Sequence, residues 1–165
     1  MVSLVPPASC VDDPALPLCA ADVARGVTRM LLRHDFVAMG EVPLDGGRRA
    51  DLMALDSRGR IVVVEIKVAR GDLLGDGKWI DYLDHCDRFF WAVPAGFDAG
   101  PLDREAFMPE RTGVIVADRY DAAIVREAAT HAMSAAARKR CTVALARRAG
   151  RRLIGLTDPE AGLLG

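Results

Sequence analysis

Apolar positions along the chain change period several times, and each change marks an element. Between about residues 18 and 34, Val23, Val27, Met30 and Leu31 follow an i, i+4, i+7, i+8 spacing, one face of a helix. Residues 36–44 read as a strand, and Asp45-Gly46-Gly47 turns it into a second, Arg49 to Leu55. Asp56-Ser57-Arg58-Gly59 is a tight reversal into a third strand, Ile61 to Ile66. Beyond Lys67 come a Gly-broken loop, a helix over about 76–86 and a strand over 88–93. The order is α-β-β-β-α-β, the pattern of an α/β domain with a mixed sheet flanked by helices. Residues 94–109 read as a surface excursion, 113–117 and 121–127 as a further strand pair or a strand and turn, and about 134–152 as a C-terminal helix. Pro6, Pro7, Pro14 and Pro17 make 1–17 a loose lead-in, leaving one domain over 18–155 and a tail over 156–165.

The third strand breaks its own pattern. Ile61 through Val64 and Ile66 are apolar, yet Glu65 and Lys67 stand where a buried strand would place hydrocarbon. Residues two apart share a face, so the acid and the amine emerge together. A lone Glu-x-Lys is commonly the wet face of an edge strand, and the register of the hairpin is what raises it above that. If Ser57-Arg58-Gly59 is a three-residue loop with Gly59 in the left-handed position, Asp56 pairs with Arg60 and Asp51 falls opposite Glu65. Arg49 and Lys67 then form the next rung. A two-residue loop would put Asp51 opposite Val64, on the wrong face.

Two carboxylates that close repel each other, and removing each from water costs several kcal/mol without a partner. A divalent cation resolves the conflict, since Mg²⁺ takes one or two carboxylates plus water and substrate phosphate. It polarises a phosphoryl oxygen and lowers the pKa of a bound water, while Lys67 orients that water or stabilises developing charge. Asp51, Glu65, Lys67 and a metal together read as phosphodiester hydrolysis.

Composition narrows the partners. The 165 residues are 51% hydrophobic, enough for one core, and the net charge of −1 excludes a generally basic nucleic-acid coat. Residues 131–157 nevertheless hold Arg138, Lys139, Arg140, Arg147, Arg148, Arg151 and Arg152 and no acid, which reads either as a phosphate-backbone contact or as a solvated helix face. Cys10, Cys19, Cys86 and Cys141 lack Cys-x-x-Cys spacing and read as reduced thiols; a zinc site from Cys10, Cys19 and His34 matches no specific spacing. No signal peptide or apolar stretch of about 20 residues is present, so the expectation is a cytoplasmic protein without a membrane contact.

This element order, with Asp on the second strand and Glu-x-Lys on the third, resembles the PD-(D/E)XK nuclease superfamily, the restriction-endonuclease-like fold. Gly47-Arg48-Arg49-Ala50-Asp51, Val64-Glu65-Ile66-Lys67 and the block from Asp76 to Phe90 resemble the MmcB family of DNA-repair endonucleases, over about residues 37–94 and more weakly through 114–120. The long block with Lys78-Trp79 and Tyr82 is far more specific than the short superfamily motif. The resemblance implies a Mg²⁺- or Mn²⁺-dependent DNA endonuclease with Asp51, Glu65 and Lys67 at the catalytic positions, acting on damaged or branched DNA. A DNA-binding repair factor that keeps the fold without cutting is the rival, and a homodimer stays open. Ala50 replaces the Pro of the superfamily name, and Ala69 stands where close relatives carry a small hydroxyl residue.

Around that core, Glu41 is a candidate third acid for the metal or an exposed strand-end charge. Lys78 and Tyr82, i and i+4 on the expected helix, would share a face and contact a phosphate; otherwise they are a helix-surface pair. Trp79, Leu83 and Cys86 form the stripe that packs on the sheet, so Trp79 reads as core. Arg48 and Arg49 flank the acids and would steer phosphate or neutralise them. Asp76 reads as a helix cap, Asp72 is open, and His34, His85 and His131 carry no role.

Overall fold

A computed structural model describes residues 16–161. The lead-in through residue 15, with Cys10, lies outside the described residues, as do the last four positions. The chain runs through α1 (Ala20–Arg33), β1 (Phe36–Pro43), β2 (Arg49–Asp56), β3 (Ile61–Ile66), α2 (Arg70–Gly75), β4 (Arg88–Pro94), β5 (Gly113–Ala117), β6 (Ala122–Arg126) and α3 (Ala135–Thr157). Short 3₁₀ segments intervene, the longest being Trp79–His85.

The six strands form one mixed sheet in sequence order. The β1–β2, β2–β3 and β5–β6 pairs are antiparallel; β3–β4 and β4–β5 are parallel, each reached by a crossover. On one face, Val23, Val27, Met30 and Leu31 of α1 pack on Leu52, Ala54, Val62, Val64, Phe90 and Ile115, which is the helical stripe expected from the spacing. Gly26 permits this approach, since a Cβ there would lie 2.3 Å from the Asp118 carbonyl oxygen.

On the other face, Met53, Ile61, Val63, Phe89 and Trp91 meet Trp79, Tyr82, Leu83, Phe107, Cys141 and Leu145. Trp91 sits edge-on to Trp79, Phe89 and Phe107 at 5.3, 5.0 and 5.7 Å, in the tilted geometries that aromatic quadrupoles favour. Trp79 is therefore core, as its stripe predicts. The start of α3 is capped by Ser134, whose Oγ accepts from the Ala137 amide at 3.2 Å, and is held to the sheet by Arg138. Both Arg138 terminal nitrogens donate to the buried Asp87 carboxylate at 2.8 Å, and the Ile61 amide donates to the same group at 2.7 Å.

Three expectations need correction. The helix expected over 76–86 is instead the 3₁₀ segment Trp79–His85, and the Gly-broken loop expected after Lys67 holds the short α2. Gly77 disfavours an α-helical start to that block, and one Asp76 oxygen accepts from the Lys78 amide two residues on, at 3.1 Å, a local bond that competes with helical pairing. With about three residues per turn, Lys78 and Tyr82 no longer share a face: Lys78 is exposed and Tyr82 buried. Second, Cys86 and Cys141 are free buried thiols as expected, but Cys19 is disulfide-bonded. Third, the C-terminal helix extends to Thr157, into the expected tail.

Candidate active site

The hairpin that carries the acids has the expected register. The ladder Leu52↔Val64 to Leu55↔Ile61 continues to Asp56 opposite Arg60, whose carbonyl accepts from the Asp56 amide at 3.1 Å. Gly59 takes φ +79°, as a three-residue loop requires. At the other end the backbone ladder stops at Leu52↔Val64. The next rung, Asp51 and Glu65, is joined by side chains instead: the Asp51 amide donates to Glu65 Oε1 at 3.3 Å, and the Ile66 amide donates to Asp51 Oδ2 at 2.9 Å.

The cause of this opening lies in β1. Glu41 stands opposite Asp51 and adopts φ +55°, a left-handed backbone rare for any residue but glycine. Below it Ala38 and Leu52 face α1; beyond it Val42 and Ala50 join the aromatic layer, together with Met39 and Met53. Alternation thus reverses on both strands at the Glu41/Asp51 rung, and the β1–β2 ribbon turns away from β3 there. Two backbone groups that would have paired across the sheet are freed for carboxylates.

Glu65 faces the aromatic layer beside Trp91, its strand partner, and is 4% exposed. Burial, then the neighbouring Asp51 carboxylate, pushes its pKa up from 4.5 to about 8, outweighing the Asp51 amide and Lys67. Lys67 lies just past β3, its amide donating to the Ala92 carbonyl at 2.9 Å. Its Nζ is 2.7 Å from Asp76 and 3.8 Å from Glu65 Oε2, and 6.0 Å from the centroid of Trp91. Asp76 is thus part of the site rather than only a cap, a role hidden in the sequence because nine residues separate it from its ammonium partner. Beneath the acids, Tyr82 donates to the Arg49 carbonyl at 3.0 Å; burial and the Glu65 and Asp51 charges raise its pKa further.

The other candidates sit at the margin. Lys67, Asp72, Asp76 and Lys78 line an open cleft of about 840 Å³, and Lys67 is the link between that cleft and the acids, which do not line it themselves. Arg48 donates twice to Asp81, at 2.7 and 2.9 Å. Glu41 lies 3.7 Å from Arg49 and 3.8 Å from Arg148, its carboxylate drawn to two arginines. Among the described residues no group of three or more His, Cys, Asp or Glu side chains is arranged to hold a metal ion. The pair Asp51 and Glu65 still fits a divalent cation. Each acid spends one oxygen on an amide, retains the other, and carries repulsion that a cation relieves.

A family model described as DNA repair protein MmcB-like matches residues 8–160. The chain belongs to this MmcB-like family of DNA repair proteins. A solved structure, the SPO1766 protein of unknown function from Silicibacter pomeroyi, is 42% identical and aligns with a TM-score of 0.78 over 88% of this chain and 96% of that one. No curated protein matches. Among the described residues of this MmcB-like protein, no helix is long and apolar enough to cross a membrane.

Proposed function

We propose that this MmcB-like protein is a metal-dependent DNA-repair nuclease with the catalytic arrangement of the PD-(D/E)XK superfamily. The observation that carries the reading is the Asp51–Glu65 rung, two carboxylates that accept hydrogen bonds from the Ile66 and Asp51 amides at the opened edge of a hairpin, with Lys67 beside them at the mouth of a cleft. Asp51 and Glu65 would hold Mg²⁺ or Mn²⁺, which supplies Lewis acidity and a water of lowered pKa. Glu41 would join them only by leaving Arg49 and Arg148. Lys67 places its ammonium where charge develops on the scissile phosphate, and Arg49 and Lys78 hold flanking phosphates. Tyr82 fixes the Arg49 backbone and so the aim of β2.

Incubation with duplex, single-stranded and branched DNA in Mg²⁺, Mn²⁺ or Ca²⁺ tests this. The expected result is cleavage with Mn²⁺, lost by at least a hundredfold in Lys67→Ala and Asp51→Ala, with binding kept in Ca²⁺. The close Lys67–Asp76 pair, which occupies the ammonium, favours a second reading, a DNA-binding factor that does not cut. Binding without cleavage in every metal, unchanged by Asp51→Ala, would establish that reading instead.

A further inference from the structure

The C-terminal half of α3 runs along β1 at helical spacing. Ala144 lines a hollow with Pro43, Arg148 reaches Glu41 at 3.8 Å, and Arg152 donates to the Met39 sulfur at 3.4 Å. That hollow, about 170 Å³, is lined by Pro43, Ala144, Arg147, Arg148 and Arg151. Its charge is one-sided. Arg147 and Arg151 are exposed and make no ion pair among the described residues, whereas Arg138 and Arg140, on the same helix, are taken by Asp87 and Asp45. The Arg148 Nε is buried and donates to nothing, although a buried donor without an acceptor is costly. Its carboxylate neighbour Glu41 stands too far off for a hydrogen bond and is shared with Arg49.

The hollow also has a defined relation to the acids. Pro43 pairs with Arg49 across β1 and β2, two residues from Asp51. One rung of ~5 Å and two residues at ~3.3 Å each place it roughly 8–10 Å from that acid. Neighbouring phosphates wind around the duplex axis and so stand farther apart than their ~3.4 Å axial rise, which makes that distance about one to two nucleotides.

From this geometry we infer that Arg147, Arg148 and Arg151 form a docking subsite for a DNA backbone phosphate one to two nucleotides from the bond at Asp51, an inference that rests on the nuclease reading. The phosphate oxygens accept from the unpartnered Arg148 Nε and from the guanidinium groups of Arg147 and Arg151. Glu41 sets the position of Arg148 and Arg49, so the subsite and the acid site share one link. On this helix Arg138 holds the fold through Asp87, whereas Arg147, Arg148 and Arg151 around the hollow hold the ligand.

The test uses the full chain, a duplex oligonucleotide and Ca²⁺, with affinity measured from 50 to 200 mM salt. In the double variant Arg147→Gln/Arg151→Gln, one lost phosphate contact lowers the slope of log affinity against log salt by about 0.9, so wild type loses about threefold more affinity than the variant over that range. Lys139→Gln, an exposed cation on the same helix away from the hollow, keeps the wild-type slope. DNA must also move the Arg148 Nε–H resonance. A double variant with the wild-type slope, or a resonance that DNA leaves in place, overturns the subsite while leaving the nuclease reading intact. A wild type that binds no DNA at any salt sinks the nuclease reading and the subsite together. Movement of that resonance by sodium phosphate but not by DNA reassigns the hollow to small phosphorylated ligands and overturns the inference.

Discussion

Replacing Glu65 by glutamine should stabilise the metal-free protein at alkaline pH and abolish its response to metal. In the fold Glu65 binds its proton up to about pH 8, whereas in the unfolded chain it releases it near 4.5. Between those values the folded state holds more protons, so stability falls as pH rises through the interval. At about 1.4 kcal/mol per pH unit the upper bound is about 5 kcal/mol, and movement of water and side chains toward the ionised carboxylate lowers this to a few. A glutamine side chain has the same shape and no charge to strand. Since about 1 kcal/mol moves Tm by ~2–4 °C in a domain of this size, Glu65→Gln should melt on the order of 10 °C above wild type at pH 9 in EDTA, with the gap closing toward pH 5. Mn²⁺ at pH 8 should raise the wild-type Tm by mass action and release up to one proton per ion, leaving Glu65→Gln unmoved. Thermal melts at five pH values, with and without Mn²⁺, measure all of this. Parallel pH profiles for the two proteins would show that Glu65 is not a strained buried acid, and an equal Mn²⁺ response would remove it from the metal site.

Arg138→Ala strands the buried Asp87 carboxylate and should cost about 3–5 kcal/mol in urea unfolding, whereas Arg140→Ala, an exposed pair, should cost under about 1 kcal/mol. Gly26→Ala forces a methyl group against the Asp118 and Asp121 carbonyl oxygens and should destabilise by about 1–3 kcal/mol in the same assay. Asp76→Asn removes the nearest anion from Lys67 and should tighten DNA binding in Ca²⁺; weaker binding would place Asp76 among the metal ligands instead.

The sequence was legible where periodicity and turn chemistry acted locally. The α1 stripe, the three-residue loop closed by Gly59 and the burial of Trp79 each follow from neighbours a few positions apart, and the hairpin register brought Asp51 to Glu65. What stayed hidden depended on distant partners. Asp22 is fully buried against Arg119, 3.3 Å away across 97 residues of sequence, and Asp87 is matched by Arg138, 51 residues on; the Cys19 amide that Asp22 also accepts from is local, but nothing local marks either arginine. The 76–86 block misled because its apolar spacing fits both helix types, and only the side chain of Asp76 and the flanking glycines decide between them. The left-handed backbone at Glu41, which opens the sheet, has no sequence signature at all, since glycine is absent from that position.

The amide groups of Asp51 and Ile66 have an unusual station. Both donate to the carboxylates that an ion would recruit, so any change in cation loading must alter their shielding and their protection from solvent exchange. The molecule therefore carries two backbone probes of its own centre, readable in an amide ¹⁵N spectrum without a substrate, an attached reporter or a mutation.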